Sequence, residues 1–299
     1  MTMIITPLRS GFVGDVRGID LTRTMTPDQV EAIDRGMDDF GILIFHDQHF
    51  DDDTQLAFTR NFGELEISSG GEMSKPEEMR LKLEMADISN LDAQNRIRAA
   101  DDKKRLGALD NRLWHSDASF RAIPAKYSLL SARIVPSTGG DTQFADMRAA
   151  YDALDGATKD RIEDLVTEHS NAYSRELLGF MPEDYGAENR PKLAPVRHRL
   201  VRLDPRTGRK TLYLSAHIGS IVGWPMPEAR AFIRDLMEHA TQPEFVHTHH
   251  WKPWDLVIWD NRTTMHRARA YRDREEVRDM RRSTVRGDAM TTEQARQAA

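Results

Sequence analysis

The sequence contains no cysteine among its 299 residues. A disulfide framework, a thiolate metal site and a cysteine nucleophile are therefore excluded, so any metal must be held by histidine and carboxylate side chains. The chain also lacks a basic excess, since its formal net charge is −6, which argues against a nucleic-acid partner. No apolar run is long enough to cross a membrane, and the first residues lack the pattern of a signal peptide. We therefore expect a soluble, cytoplasmic protein with neither a nucleic-acid nor a membrane partner.

The order of the predicted elements indicates the fold class. Strand patterns dominate the second half, with helices inserted or packed outside, which predicts a mainly β protein with flanking helices, a distorted jelly roll (double-stranded β-helix). We expect a single domain over residues 1–299, with a frayed tail from about residue 288. Two long irregular segments, at about 66–109 and 170–195, are interpreted as active-site loops, because loops of this length are usually functional or disordered. A mobile surface loop is the alternative.

Local signals place the individual elements. Thr26, Pro27 and Gln29 form a capping box with proline at the first position, which predicts a helix to about Phe40. Two further helices are predicted over 53–61 and 227–240, and two more over 146–154 and 158–166. The apolar pattern predicts strands at 3–5, 12–16, 41–45, 127–135, 196–203, 211–215, 244–251, 255–259 and 277–286.

The segment from Leu113 to Phe120 places a histidine and an aspartate two residues apart, at His115 and Asp117. In an extended chain alternate side chains share a face, so both would point the same way. Two histidines and one carboxylate form the facial triad that holds non-haem Fe(II) and leaves coordination positions open. The pattern alone is weak, since 11 histidines and 48 acidic residues give about two such pairs by chance. The other pair, His49 and Asp51, is attributed to the start of a helix, where Asp51 would act as a cap.

A third ligand has to come from elsewhere in the chain, and His266 is the candidate. It follows a strand that looks buried, 255–259, and a structural histidine is the alternative interpretation. His247, His249 and His250 form a rival cluster, in which the first two would share a face of a strand. Because no obvious carboxylate on that strand completes a site, we interpret these three as wall or surface residues.

A basic strand lies near the end of the chain, and its alternation puts Arg278, Met280 and Arg282 on one face. If Met280 faces the core, two guanidinium groups project inward, where their burial is expensive unless anions meet them. Arginine binds a carboxylate through two parallel hydrogen bonds, so the strand predicts two anionic ligands near a metal. From the strand alone, a solvated charged face is equally consistent.

Several motifs follow one another along the chain: Trp114-His-Ser-Asp117, Gly139-Gly-Asp-Thr142, Leu256-Val-Ile-Trp-Asp-Asn-Arg262, His266 and Arg278-x-x-x-Arg282. As a set, in this order and spacing, they resemble the taurine/2,4-dichlorophenoxyacetate dioxygenase family of Fe(II)- and 2-oxoglutarate-dependent enzymes. The similarity runs from Gly14 to Asp288. It is closest to the 2,4-dichlorophenoxyacetate branch, which Pro124-Ala-Lys-Tyr-Ser128 and the segment from Phe144 to Leu154 also resemble.

The resemblance implies roles around a metal ion. His115, Asp117 and His266 would be the iron ligands. Thr142 and Arg278 would bind the distal carboxylate of 2-oxoglutarate, the co-substrate.

The resemblance also implies substrate contacts. Arg282 would bind the anionic group of the prime substrate, and Asn111 and His217 match substrate-contacting positions of the taurine and 2,4-dichlorophenoxyacetate enzymes. The segment from Glu66 to Gly71 departs from the family, because it stands where taurine dioxygenases carry a substrate-binding histidine and tyrosine. This departure argues against taurine.

The activity that the resemblance implies is hydroxylation of a small carboxylate with Fe(II), 2-oxoglutarate and O2, giving succinate and CO2 as co-products. On an aryloxyacetate such as 2,4-dichlorophenoxyacetate it would release a phenol and glyoxylate, and on an aryloxypropionate a phenol and pyruvate. The alternatives are the same chemistry on another carboxylate or an alkylsulfonate, and a non-catalytic jelly-roll binding protein. We also expect a homo-oligomer whose partner is a small anionic molecule.

Overall fold

The computed structural model describes residues 3–9, 11–68, 72, 79–184, 186–187 and 189–293. Its strands are β1 (Ile4–Arg9), β2 (Val13–Arg17), β3 (Ile42–Phe45), β4 (Met85–Asp87), β5 (Ala125–Ile134), β6 (Thr142–Asp146), β7 (Val166–His169), β8 (Val196–Arg199), β9 (Val201–Leu203), β10 (Lys210–Leu212), β11 (Ile218–Ile221), β12 (Val246–His249), β13 (Leu256–Asp260), β14 (Thr264–Ala268) and β15 (Asp279–Arg286).

The α-helices of the same residues are α1 (Pro27–Phe40), α2 (Asp52–Thr59), α3 (Lys103–Gly107), α4 (Met147–Asp152), α5 (Gly156–Ile162), α6 (Asn171–Glu176) and α7 (Met226–Ala240). Short 3-10 helices cover Arg60–Phe62, Ala108–Arg112, Pro182–Asp184, Arg190–Leu193, Pro243–Phe245 and Thr291–Glu293. In the part of the chain that the structure describes, no helix is long and apolar enough to span a membrane.

The strands form one large sheet and three smaller ones. The large sheet has the order β1-β2-β3-β13-β5-β15-β4, and the smaller ones are β12-β6-β14, β11-β7-β8 and the hairpin β9-β10. Among the described strands, β2 and β3 pair in parallel and the other pairs are antiparallel. Two largely antiparallel layers with flanking helices make a distorted jelly roll, which confirms the predicted fold class.

Strand β13 shows how the core is divided. Val257 and Trp259 pack with Phe144 of β6, between the large sheet and a smaller one. Leu256 and Ile258 point to the opposite face and pack in the cluster that includes helices α1 and α2. These four side chains are fully buried, and Asp260, which ends β13, is buried as well, so neither face of the strand is exposed to solvent. Burial on both faces fixes the position of β13, and after this strand the chain turns back toward His266.

The predicted helix starts are confirmed. At α1 the backbone N–H of Gln29 donates to Thr26 Oγ1, and the backbone N–H of Thr26 donates to Gln29 Oε1. The helix ends at Gly41, whose φ of 77° lies in the left-handed region. Asp51 caps α2 by accepting from the backbone N–H of Thr54, as its interpretation as a cap required.

Four strands of the smaller sheets were not predicted: β6, β7, β11 and β14. Residues 142–146, of which the sequence predicts only the last as a helix start, form β6, and the helix predicted over 158–166 ends at Ile162, so that Val166 begins β7. These strands have four or five residues and carry buried polar side chains such as Thr142 and His169. Pairing with strands distant in sequence, rather than local propensity, decides their conformation.

Strand β15 settles the orientation of the basic segment. Met280 is fully buried in the core between the sheets, and Arg278, just before the strand, is also buried. The interpretation of two inward-facing arginines is therefore confirmed against the solvated face.

The segments read as irregular contain some regular structure. Strand β4 and helix α3 lie within 66–109, and β4 pairs with β15 at the edge of the large sheet. Residues 288–293, which the sequence assigns to a frayed tail, include one packed side chain. Thr291 is buried, and its hydroxyl lies 2.9 Å from Nδ1 of His198. Residues 294–299 lie outside the described residues.

Buried histidines make the stability of the fold depend on pH. His169 and His198 are fully buried. Burial, with nearby Arg202, lowers the pKa of His198 to about 4, and burial beside His198 holds the pKa of His169 well below its usual value. The unfolded chain binds protons at a pKa of about 6.5, so it takes up more protons than the folded chain below that pH. The contribution of these two histidines to the free energy of unfolding must therefore fall as the pH decreases below about 6.5.

Replacing one of these histidines should flatten that dependence. In His198→Gln, the slope of the unfolding free energy between about pH 6 and 5 should be smaller by up to about 1.4 kcal/mol per pH unit. Denaturant titrations across this range measure it. A slope equal to that of the wild type would show that His198 is not the neutral, buried group described here.

Candidate active site

An isolated β-bridge brings two of the predicted ligands together. The backbone N–H of His115 donates to the carbonyl of His266 at 3.0 Å, and the N–H of His266 returns the bond at 2.8 Å. The ring centroids of the two histidines lie 4.2 Å apart. The chain is extended only at this bridge, and Asp117 already belongs to a turn in which Ala118 has a φ of 54°. The predicted alternation therefore does not persist through the segment, yet Asp117 still faces the two histidines.

The three side chains form a compact cluster. Nε2 of His115 lies 3.7 Å from Asp117 Oδ1, and Nε2 of His266 lies 3.8 Å from Asp117 Oδ2. Ligand atoms of all three lie within 4.8 Å of one another, and all three residues are buried. No second cluster of this kind occurs among the described residues. Two imidazole nitrogens and one carboxylate oxygen are the donor set of the facial triad.

The rival histidines are engaged elsewhere. His249 Nε2 lies 3.2 Å from Asp255 Oδ2, and His250 Nδ1 lies 3.1 Å from Asp141 Oδ1. The first is buried in the sheet, whereas His250 is exposed. They are therefore wall and surface residues, as interpreted from the sequence.

Neighbouring groups prepare the cluster for a cation. Nδ1 of His115 lies 2.8 Å from the carbonyl of Leu113, which requires an N–H there and leaves Nε2 as the free donor atom. Burial alone would raise the pKa of Asp117, but Arg282, both histidines and a hydrogen bond from Ser128 hold it below its usual value. Burial, reinforced by His115, keeps the pKa of His266 well below its usual value. The free Nε2 of His115, the neutral imidazole of His266 and the ionised carboxylate of Asp117 are donors that suit a divalent metal ion.

A buried hydrogen-bond chain orients the carboxylate. Ser128 Oγ donates to Asp117 Oδ2 at 2.7 Å and accepts from Asn261 Nδ2 at 2.9 Å. Asn261 Oδ1 accepts from the backbone N–H of Asp117 at 3.1 Å and from Trp259 Nε1 at 3.0 Å. Sequence reasoning assigned no role to Ser128 or Asn261. Asn261 lies in the motif from Leu256 to Arg262, and Ser128 ends the motif from Pro124 to Ser128, but neither motif indicates a contact with Asp117.

Removing this support should weaken metal binding without unfolding the protein. In Ser128→Ala we expect the Kd for Fe(II) to rise about 10- to 100-fold, because outer-shell partners of ligands contribute that much. Ser131→Ala is the matched control, since Ser131 is buried on the same strand but donates to Gln55. Anaerobic metal titrations compare the two. Equal metal affinities in both variants would contradict a role for Ser128 in the site.

The two predicted co-substrate residues, Thr142 and Arg278, are both buried. Arg278 Nε donates to the carbonyl of Gly140 at 3.2 Å, two residues before Thr142, and both side chains are almost fully buried. In the part of the chain that the structure describes, no carboxylate lies within 4 Å of the Arg278 guanidinium. Burial lowers the pKa of Arg278 to about 10, with Tyr271 and Asp141 opposing. A buried guanidinium without a carboxylate partner is expensive unless an anion meets it.

A cavity of about 440 Å³ opens beside the cluster. His115 and Asp117 form part of its wall, and the three predicted substrate contacts, Arg282, Asn111 and His217, line it as well. Its apolar lining includes Leu81, Met85, Ile88, Leu91 and Phe120. Five of the eight predicted residues thus line the cavity, whereas His266 belongs to the cluster without lining the cavity, and Thr142 and Arg278 lie outside the lining.

The three substrate candidates differ in their surroundings. Arg282 is mostly buried, and its Nη1 donates to Asp117 Oδ1. Burial, and then the neighbouring His115, lowers the pKa of His217 to about 3, so the ring is neutral at physiological pH. Its Nδ1 has no hydrogen-bond partner among the described residues. Asn111 is half-buried, and its Nδ2 donates to the carbonyl of Ala108 at 3.0 Å.

Both long segments contribute to the cavity. Residues of 66–109, including Glu66 and Leu81, line one side, and Asn171, Ser174 and Arg175 line another. Arg175 Nη2 forms an ion pair with Asp110 Oδ2 at 2.9 Å, which links helix α6 to the turn that follows α3.

Glu66 is a cavity residue to which sequence reasoning gave no positive role. Burial raises its pKa to about 7 despite an ion pair with Arg121 at 2.9 Å. The sequence signal for Glu66 was its place in the segment from Glu66 to Gly71, which departs from the pattern of taurine dioxygenases.

Known proteins are similar to this chain in sequence and in fold. The family model described as "Taurine catabolism dioxygenase TauD, TfdA family" matches residues 5–284. The chain is 42% identical over 290 residues to an alpha-ketoglutarate-dependent 2,4-dichlorophenoxyacetate dioxygenase of Cupriavidus pinatubonensis, a match covering 97% of this chain and 100% of the relative. It is 37% identical over 259 residues to an (S)-phenoxypropionate/alpha-ketoglutarate-dioxygenase of Sphingobium herbicidovorans, covering 84% and 83%. The crystal structure of AAD-2 in complex with Mn(II) and N-oxalylglycine superposes with a TM-score of 0.89 at 50% identity, covering 98% of this chain and 100% of that one.

Proposed function

Because this chain belongs to the TauD/TfdA family and is an Fe(II)- and 2-oxoglutarate-dependent dioxygenase, we propose that its substrate is an aryloxyalkanoate. The observation that carries the proposal is the cavity, which joins the metal ligands to a guanidinium and to an apolar wall. An aryloxyacetate or aryloxypropionate offers a matching carboxylate and aromatic ring. The activities named for the relatives from C. pinatubonensis and S. herbicidovorans support the same class.

We assign the metal and the co-substrate to the buried side of the site. His115, Asp117 and His266 would hold Fe(II), and Thr142 and Arg278 would hold the distal carboxylate of 2-oxoglutarate. The unpaired, buried charge of Arg278 supports this role. When bound, the iron and 2-oxoglutarate would supply the activation of O2, which then oxidises a substrate C–H bond. The 2-oxoglutarate is converted to succinate and CO2.

The cavity side would orient the substrate. Arg282 would bind its carboxylate, with Asn111 and the neutral His217 as polar contacts, so that the carbon beside the ether oxygen faces the metal ligands. Hydroxylation there inserts one oxygen atom of O2 into the C–H bond and yields a hemiacetal. The hemiacetal breaks its bond to the aryl oxygen, which leaves as a phenol, and the remaining fragment is glyoxylate or, from a propionate, pyruvate.

The sequence leaves two alternative functions open. The chain is an enzyme, so a non-catalytic binding protein is set aside. The same chemistry on another carboxylate or an alkylsulfonate remains the second candidate, because Arg282 would bind either anion.

A substrate panel tests the proposal. Succinate formation is measured with Fe(II), 2-oxoglutarate and O2 in the presence of 2,4-dichlorophenoxyacetate, aryloxypropionates of each hand, aliphatic carboxylates and taurine. We expect the strongest stimulation from an aryloxy acid. Stimulation by an aliphatic acid or taurine alone would overturn the substrate class and leave the reaction type in place.

The localisation and the oligomeric state of the enzyme are predictions. We propose that it is a cytoplasmic homo-oligomer whose partner is a small anionic substrate. Ile4 and Leu8, exposed on the edge strand β1, support association of copies. Sedimentation of the purified protein and fractionation of its native cells measure both properties.

A further inference from the structure

We propose that Trp251 is a positioning residue for 2-oxoglutarate and acts through the hydroxyl group of Thr142. The inference rests on the proposed function, in which Thr142 and Arg278 bind the distal carboxylate of the co-substrate. Trp251 belongs to none of the motifs that predicted the site, and it would touch neither the metal nor the substrate.

The central contact is a single hydrogen bond. Trp251 Nε1 donates to Thr142 Oγ1 at 2.9 Å, and the threonine is 2% exposed. A hydroxyl group has one proton to donate, and an indole N–H can only donate. Because Trp251 occupies the acceptor side of the hydroxyl, the proton of Thr142 must point elsewhere. It finds no protein acceptor in the described part of the chain, so it is available to an anionic oxygen.

The sheet places the tryptophan. Thr142 on β6 pairs in register with His249 on β12, and Trp251 follows two residues later. The indole packs edge-on against the His249 ring, with centroids 4.5 Å apart and planes at 90°. His249 Nε2 also lies 3.2 Å from Asp255 Oδ2, and Asp255 Oδ1 lies 2.6 Å from Nδ1 of His46. Strand pairing and the ring contact with His249 therefore position the indole.

Arginine and threonine then have different duties at the same anion. Arg278 supplies charge, and its Nε donates to the carbonyl of Gly140, which precedes Thr142 by two residues. Thr142 supplies one neutral donor whose direction depends on Trp251. Loss of the indole N–H should free the hydroxyl to rotate and weaken the co-substrate, while the cavity around Arg282 is untouched.

Binding of 2-oxoglutarate to the Mn(II)-loaded protein, measured by titration calorimetry, tests this without turnover. In Trp251→Phe, which keeps an aromatic ring and removes the N–H, we expect the Kd to rise about 5- to 10-fold. Trp254→Phe is the matched control, since Trp254 lies in the same connection but packs on His49 and Arg133. Its Kd should stay at the wild-type value. In turnover assays, Trp251→Phe should raise the KM for 2-oxoglutarate and leave the KM for the aryloxy substrate unchanged.

A double variant separates positioning from packing. In Thr142→Val, which has no hydroxyl to orient, adding Trp251→Phe should produce no further loss of affinity. Additive losses, or a Kd for Trp251→Phe within about twofold of the wild type, would overturn the inference. Wild-type protein that binds Mn(II) but not 2-oxoglutarate would overturn the proposed function and this inference with it. Normal wild-type binding with an unaffected Trp251→Phe variant would overturn the inference alone.

Discussion

Replacing His115 with alanine should abolish Fe(II) binding and lower turnover by at least about 1,000-fold, with the fold retained. His115 is one of only two imidazoles in the cluster, and two donors cannot hold the metal as three do. A bound metal supplies several kcal/mol of transition-state stabilisation, which corresponds to a loss of this size. The backbone bridge to His266 uses main-chain atoms, so it survives the substitution. Metal content after anaerobic loading and succinate release measure the two effects.

His49→Ala provides the matched control for this prediction. His49 belongs to the chain's other His-x-Asp pair, but it is exposed and lies outside the metal cluster. Its Nε2 lies 2.6 Å from Oδ1 of Asp47. Its removal should leave metal content and turnover at the wild-type level. If His115→Ala retained bound iron or more than about a tenth of the wild-type turnover, the assignment of the ligands would be wrong.

Replacing Arg282 with alanine should raise the KM for the aryloxy substrate about 100-fold and change the KM for 2-oxoglutarate little. Arg282 lines the cavity and carries a largely buried guanidinium, and removing one partner of a buried charge pair costs several kcal/mol. Arg278, by contrast, lies outside the cavity lining. On the proposed assignment the two arginines would therefore serve different anions, although they are four residues apart.

Arg278→Ala is the reciprocal experiment. It should raise the KM for 2-oxoglutarate and spare that of the aryloxy substrate. Because Arg282 also donates to Asp117, the affinity of Arg282→Ala for Fe(II) is measured separately and the kinetics are run with the metal site saturated. An equal rise of both KM values in either variant would contradict the division between the two arginines.

Parts of the site that follow from local pattern could be predicted from the sequence. Alternation around Met280 placed Arg278 and Arg282 inward, and the structure buries Met280 completely and both arginines largely. The capping box at Thr26 fixed the start of α1, because its two hydrogen bonds involve residues three apart. The spacing of His115 and Asp117 alone did not identify the candidate metal ligands, whereas the set of family motifs did.

Features that depend on distant pairing could not be predicted. Strand β14, which carries His266, is held in place by β6, and neither strand has the apolar alternation that marks a strand in the sequence. Ser128 supports Asp117 only because β5 passes behind the metal cluster, and no local pattern distinguishes it from Ser131 on the same strand. Trp251 likewise reaches Thr142 only through the pairing of β12 with β6.

The most direct test of the account is the ratio of phenol to succinate formed from 2,4-dichlorophenoxyacetate by the Fe(II)-loaded enzyme with 2-oxoglutarate and O2. If Arg282 holds the carboxylate and presents the carbon beside the ether oxygen, each succinate is accompanied by one phenol, and the ratio is about one. Succinate formed without phenol, at a rate that the aryloxy acid does not change, would contradict the proposed substrate and its orientation in the cavity.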